Sequence, residues 1–339
     1  MDPAQRLVAT WYMPRVTPLA ALLWPLSILY RFLVAARRVL FRVGLLRSHR
    51  LPVPVIVVGN INVGGVGKTP LTHALAEQLM QRGFTPGIVS RGYRGSNVSP
   101  RAVVEGDDPK VVGDEPLLHA TAGFPVWIGR DRADAARGLL RAEPGCDVIV
   151  ADDGLQHYAL VRTMEIAVVD ASRGFGNGLM LPAGPLREPV SRLTDVDAVV
   201  RLVARDVPRP AAASGAQTLM THEPLPWRNL VQPDRVADPA QWRGKEIHAL
   251  SGIGNPQRFF DMVASLGITA HCHAFPDHHD FAAGDIAFPG ADAILMTQKD
   301  AVKCMAFADE RCWYLPLRAV VDPALVALVL EKIRGFKAA

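Results

Sequence analysis

From residue 53 onward, short apolar runs alternate with stretches in which apolar residues return every three or four positions. Continuous apolar runs suit strands buried on both faces, and helical spacing between them suits crossover helices, so the pattern predicts parallel sheets covered on both sides. Strands are expected at 54–58, 85–90, 147–151, 165–170 and 198–203, with a helix over 70–82 set between Pro70 in its first turn and Gly83 just past its end. These elements read as one doubly wound unit, 51–205. Between 206 and 245 the composition turns to proline, alanine and serine without a period, which reads as a linker or boundary. A second, smaller α/β unit follows at 246–339, with strands at 246–251, 268–275, 293–297 and 313–317 and helices at 256–266 and 323–334.

The first fifty residues follow a different pattern. VTPLAALLWPLSILY (16–30) is uncharged and broken by Pro18 and Pro25, and it continues as RFLVAARRVLFRVGLLR, where arginines and apolar residues alternate at roughly helical spacing. The uncharged run is shorter than the roughly 20 residues that cross a bilayer. Arginine on one face with Trp, Phe and Leu on the other predicts an amphipathic helix in the headgroup layer of an anionic membrane. A short tilted span and a helix packed on its own domain are the other two readings.

Charge supports that division of the chain. The formal net charge is +4, yet residues 1–50 hold eight arginines against one acid, Asp2, which gives +7 there and leaves −3 for the remainder. The basic balance belongs to one terminal segment, so nucleic acid is a poor partner for the globular body. Four cysteines (Cys146, Cys272, Cys304, Cys312) lack CxxC spacing, and reduced thiols are expected.

The candidate chemistry starts at NINVGGVGKTPLT, 60–72, between an expected strand and an expected helix. Glycines there let backbone N–H groups wrap a triphosphate at a helix N-terminus, so Asn62, Val63, Gly64, Gly65, Val66, Gly67, Lys68, Thr69 and Pro70 are the expected nucleotide cradle of a P-loop NTPase-like sheet. Asn62 stands at the first glycine position of GxxxxGK[ST]. Lys68 would neutralise phosphate charge and the Thr69 hydroxyl would bind Mg²⁺. Asp152 and Asp153, closing the expected strand in DVIVADDG, supply the acid that such a metal needs. Arg187 in GPLREP and Arg91 in SRGYRG are candidate anion contacts, with ordinary surface ion pairing as the other reading.

The segments VGNINVGGVGKTP, SRGYRG, VGDEP, ADDGLQH, FGNGLMLPAGPLREP, FPDHHDF and MTQKDAVK, in this order, resemble the tetraacyldisaccharide 4'-kinase family of Gram-negative bacteria. The resemblance implies transfer of the ATP γ-phosphate to the 4'-hydroxyl of an acylated glucosamine disaccharide 1-phosphate, a step of lipid A biosynthesis that forms lipid IVA. It implies ATP and Mg²⁺ as cofactors, a membrane surface as partner, and the cytoplasmic face of the inner membrane as location. No obligate protein partner is inferred. It also implies that Asp114 in VGDEP and His278 in FPDHHDF act as a dyad on the attacking hydroxyl, His278 reaching across from the second unit.

Read from the residues alone, Asp114 is also a candidate helix N-cap before EPLLHA, and Glu115 either completes the helix start or ligates metal. HCHAFPDHH admits zinc on His271, His273, His278 and His279. MTQKD superficially matches the base-reading NKxD of GTP-binding proteins, but Lys299 adjoins Asp300, and helix capping by Asp300 is the competing reading. A P-loop GTPase or ATPase switch that binds protein partners is the alternative function.

Overall fold

The computed structural model describes residues 3–13, 15–97, 99–204 and 217–337. Two N-terminal helices, α1 (Pro3–Trp11) and α2 (Pro18–Arg42), precede the body. Strands β1 (Val55–Gly59), β2 (Pro86–Ser90), β3 (Arg101–Val103), β4 (Val126–Ile128), β5 (Val148–Asp152), β6 (Met164–Asp170), β7 (Ala198–Leu202) and β8 (Gln217–Pro224) follow. Between them lie α3 (Lys68–Met80), α4 (Pro109–Val112), α5 (Asp114–Thr121) and α6 (Arg132–Ala142). The second half holds β9 (Trp227–Asn229), β10 (Val236–Ala237), β11 (Ile247–Ser251), α7 (Pro256–Ser265), β12 (His271–Ala274), β13 (Ala293–Thr297), α8 (Gln298–Cys304), β14 (Cys312–Leu315), β15 (Leu317–Val321) and α9 (Pro323–Arg334).

The strands form two sheets, in the orders β15-β8-β7-β6-β1-β5-β2-β4-β3 and β10-β9-β14-β13-β11-β12. In the first sheet the strands from β8 to β4 run parallel, with β3 and β15 antiparallel at the edges. Every residue of β1, β2 and β5 is buried, as expected where helices cover both faces of a parallel sheet. On one face Leu71, Leu75 and Leu79 of α3 pack with Leu325, Val329 and Ile333 of α9. The other face packs against Ala133, Ala136 and Leu139 of α6.

The boundary expected at 206–245 needs restating. Part of it, 205–216, lies outside the described residues, but β8 extends the first sheet and β9 and β10 extend the second. The expected strand 313–317 is two strands, because Pro316 lets the chain leave one sheet and enter the other. β14 pairs with β13 in the second sheet, whereas β15 pairs antiparallel with β8 in the first, Leu317 opposite Pro224. Strand β15 and helix α9, read from sequence as the end of the second unit, thus belong to the first sheet and its core. Residues 225–316 leave and rejoin that sheet at one point, where the Leu225 N–H donates to the Pro316 carbonyl at 3.0 Å.

Helix α2 also differs from the short run expected. It is continuous over 25 residues with Pro25 inside it, and is long and apolar enough to cross a membrane by length and composition. Its N-terminus is capped by Thr17, whose hydroxyl accepts from the Ala20 N–H at 3.3 Å. Ala20 and Ser27 are buried, while Leu22, Trp24, Leu26, Leu29, Phe32 and Leu33 are exposed.

Candidate active site

Beyond β1 the chain turns through Asn60 to Gly67 and enters α3 at Lys68. Gly64 and Gly67 have φ of +99° and +90°, a left-handed conformation that favours glycine. A Cβ on Gly67 would lie 3.0 Å from the Leu202 side chain and 3.2 Å from that of His222. Thr17, Asp131 and Asp322 cap α2, α6 and α9 with their side chains, but Gly67 offers α3 no side-chain cap. The first-turn N–H groups of α3 therefore remain available to a ligand, with the positive end of the helix dipole behind them. The cavity in front is lined by Gly65, Lys68 and Thr69 from one side and by Gly254, Phe259, Met262 and Leu315 from the other. It lies between the two sheets, and its second wall adds Arg258, Gln298 and Lys299 to those apolar groups.

The loop's charges are tied together beneath it. Lys68 is 8% exposed; its ammonium donates to Asn60 Oδ1 at 3.4 Å and lies 3.6 Å from Asp153. Arg187 grips both Asp153 oxygens, at 2.8 and 3.0 Å, and donates to the Asn60 carbonyl at 3.2 Å and to that residue's side-chain oxygen. Burial pushes the Asp153 carboxyl up, but Arg187 and Lys68 outweigh it and hold the group well below the usual carboxylate range. Asp153 is also a non-glycine residue at φ +48°, and the buried Arg132 donates to its carbonyl at 2.7 Å. Asp152 is fully buried. Its Oδ1 accepts from the Thr72 hydroxyl at 3.4 Å and the Asp153 N–H at 3.0 Å, and its Oδ2 pairs with His119 Nε2 at 2.9 Å. Burial raises that carboxyl too, but the His119 contact and Lys68 turn the balance downward.

Next to Glu115 and Lys299, which line the cavity, residues 164 apart in sequence meet: His278 Nδ1 lies 2.9 Å from Asp114 Oδ2. Asp114 opens α5, and its Oδ1 accepts from the Glu115 N–H at 2.9 Å. His278 sits at φ +57° and its N–H donates to the Gly252 carbonyl at 3.0 Å, so the loop after β12 presents the ring toward α5. Lys299, in the first turn of α8, donates to Glu115 at 3.0 Å and to His278 Nε2 at 3.3 Å, and lies 3.8 Å from Asp114. Burial disfavours ionised Asp114, yet Lys299 and the hydrogen bond with His278 hold its carboxyl far below the ordinary range. Burial also works against the Lys299 ammonium, and Glu115 and Asp114 more than offset it, raising its pKa well above the usual value.

Some expected roles change. Thr69 and Glu115 line the cavity, whereas the Asp152 and Asp153 carboxylates are engaged by the partners above. Arg91 is exposed at the end of β2, and it is Arg94 of the same SRGYRG segment that reaches His278, donating to its carbonyl at 2.5 Å. The zinc set does not assemble. His271 and His273 stay on β12, His279 pairs with Asp285 at 3.0 Å, and among the described residues no group of three or more His, Cys, Asp or Glu is arranged to hold a metal ion. The cap of α8 is Thr297, not Asp300: its hydroxyl accepts from the Asp300 N–H at 3.1 Å. Asp300 instead accepts from the Gly252 N–H at 3.0 Å, which steadies the loop beside His278. Lys299, set aside from sequence as part of a misspaced base-reading motif, is the residue that reading missed.

Comparison with known proteins adds four findings. The family model for tetraacyldisaccharide-1-P 4'-kinase matches residues 19–334. The chain is 49% identical over 313 residues to the tetraacyldisaccharide 4'-kinase of Methylobacillus flagellatus, covering 92% of this chain and 91% of the relative. It is 48% identical over 328 residues to that of Azoarcus sp., covering 94% and 93%. Its fold is similar to the crystal structure of the "apo" form of LpxK from Aquifex aeolicus in complex with ATP, with a TM-score of 0.77, 29% identity, and coverage of 93% of this chain and 99% of that one.

Proposed function

The chain belongs to the tetraacyldisaccharide 4'-kinase family, and from that premise we propose how its residues carry the ATP γ-phosphate to the 4'-hydroxyl of an acylated glucosamine disaccharide 1-phosphate, as in lipid A biosynthesis. The alternative of a partner-binding GTPase switch is not favoured by these relatives. The observation that carries the proposal is the meeting of Asp114 and His278 beside Glu115 and Lys299, which line the cavity in front of the α3 cradle.

Phosphoryl transfer asks for positioning, charge neutralisation and a group to take the proton of the attacking hydroxyl. The N–H groups of Gly65 to Thr69 hold the phosphates, and Lys68 offsets the charge on the transferring group. Arg187 keeps Asp153 and Asn60 in place around Lys68, which fixes the height of that ammonium under the cradle. With its Nδ1 bonded to Asp114, His278 keeps Nε2 as the accepting nitrogen, which here takes a hydrogen bond from Lys299 and would take the hydroxyl proton in its place. Asp114, held ionised by Lys299, orients the ring and stabilises its charged form. Lys299 is then a positioning residue linking α8 to the dyad.

The donor set fits a hard divalent cation. Thr69 lines the cavity and buried Asp152 is kept ionised by His119, oxygen donors of the kind that would suit Mg²⁺. Thr69 and Glu115, which line the cavity, would hold it, and Asp152, fully buried with both oxygens engaged, would act on it through its charge, while Asp153 serves the cations. Bound there, it would supply charge neutralisation at the phosphates.

Helix α2 brings this chemistry to its substrate. An acceptor with several acyl chains stays in a bilayer. The exposed apolar side chains of α2, with the arginines that follow and flank them, suit the anionic inner-membrane surface on its cytoplasmic face. The test is incubation with Mg-ATP labelled at the γ-phosphate and the disaccharide 1-phosphate lipid. Label recovered in a doubly phosphorylated lipid is expected, and lipid without label refutes the assignment.

A further inference from the structure

Helix α2 has a second face, and it meets the active-site loops. Ser27, the buried polar residue of the helix, donates from Oγ to the Met180 carbonyl at 2.7 Å. One turn on, the Tyr30 hydroxyl donates to the Arg187 carbonyl at 3.3 Å, and two turns further Arg37 donates to the Gln156 carbonyl at 3.0 Å. Val34, between them, packs with Ile61, Met180 and Leu186. Positions 27, 30, 34 and 37 form one helical stripe, opposite in character to the exposed face that carries Trp24 and Phe32. From α1, the Trp11 indole N–H adds a bond to the Pro182 carbonyl at 3.0 Å.

The loop so gripped is continuous with the cradle. The Val63 N–H donates to the Pro185 carbonyl at 2.8 Å, and the Arg187 N–H donates to the Ile61 carbonyl at 2.7 Å. Arg187 then holds Asp153 and Asn60, and Gln156 Nε2 donates to the Asn60 carbonyl at 3.0 Å. Asn60 is the residue whose side chain receives Lys68. Two short paths, through Arg187 and through Gln156, therefore run from one stripe of α2 to the Lys68 ammonium.

We propose that α2 is a strut as well as an anchor: seating its apolar face on a lipid surface fixes the loop that carries Arg187, with Ser27 and Tyr30 as the positioning residues. This rests on the membrane-surface reading above. A helix with so little buried surface is held to the body by this stripe and by the Arg38–Asp195 ion pair at 2.7 Å, and lipid on its other face restricts the motion these contacts would otherwise permit.

The experiment compares wild type, Ser27→Ala, Tyr30→Phe and Ser27→Thr, with the lipid acceptor either in vesicles containing phosphatidylglycerol or dispersed in detergent. Vesicle flotation and kcat and KM for ATP are measured for each. Wild type is expected to float and to turn over faster on vesicles. Ser27→Ala and Tyr30→Phe should float equally well, keep their KM for ATP, and lose roughly tenfold in vesicle kcat, the scale of a misplaced reacting group. Ser27→Thr, which keeps the hydroxyl, should recover it. Tyr30→Phe removes a single oxygen and serves if Ser27→Ala fails to fold. Variants that float and retain the full vesicle rate overturn the strut while leaving the anchor standing. Wild type that fails to float overturns the membrane reading and the strut with it.

Discussion

The two walls of the candidate site are built in opposite ways. The cradle is one unbroken stretch, Val55 to Thr72, whose strand, glycines, lysine and helix are consecutive in the chain. The dyad wall takes Asp114 from one segment, His278 from another and Lys299 from a third, and exists only because the second sheet sits across from the first. A continuous motif carries its geometry in backbone conformation, whereas a dispersed one depends on loops such as that of Gly252, pinned by Asp300. Binding of phosphate and activation of the acceptor are therefore separable by substitution.

The largest effect should come from the cradle. Lys68→Ala is expected to lower transfer by about 10³-fold or more, the scale of losing a preorganised charge at a transition state, measured as label incorporation under saturating lipid. On the other wall, His278→Ala and Asp114→Ala should each cost roughly 10²- to 10⁴-fold in kcat, the range of general acid–base catalysis, with the dissociation constant for ATP unchanged in a direct binding assay. Equal loss of ATP affinity would show that the two walls are not separable. A smaller loss, about tenfold in kcat, is expected for Lys299→Met, and a double-mutant cycle with His278→Ala should be strongly non-additive because the two side chains act together.

The gentlest probe is pH. Burial lowers the pKa of His73 to about 3 and that of His222 to about 4, and both side chains line the cavity. The folded state keeps these rings neutral while the unfolded chain protonates them below about pH 6.5. Stability contributed by the neutral rings is thus full above that pH and is lost as pH falls toward 4, at about 1.4 kcal/mol per pH unit for each ring. Denaturant titrations between pH 7 and 4.5 should show this slope, and His222→Gln should reduce it. An unchanged slope in that variant would remove His222 from the account.

How much of this was legible in the chain depends on the same distinction. Strand β13 and helix α9 have the bounds expected from sequence, because an uninterrupted apolar run and a Pro323 start after Asp322 are local signals. Strand β8 was hidden in a segment whose composition suggested a linker, since its partner β15 lies nearly a hundred positions on and no local period announces the pairing. Pro316 gave no hint that WYL and LRAVV belong to different sheets. At the site, the cradle could be read from its glycines and Lys68, and the dyad only through the family resemblance. Lys299 went unread because nothing adjacent to it shows that Glu115 and His278 will face it.

The pairing of Leu317 with Pro224 carries a consequence for engineering. A polypeptide that departs and returns through neighbouring positions of one ladder is topologically a very long hairpin turn, and closing such a turn becomes only slowly more costly as it lengthens. Splicing a short glycine-containing turn between Pro224 and Leu317 should leave a miniature holding α3, α9 and every strand of the first sheet. Its circular dichroism and melting curve would report whether this half of the molecule stands by itself, and swapping in foreign inserts at that junction offers a route to new acceptors on an unchanged nucleotide platform.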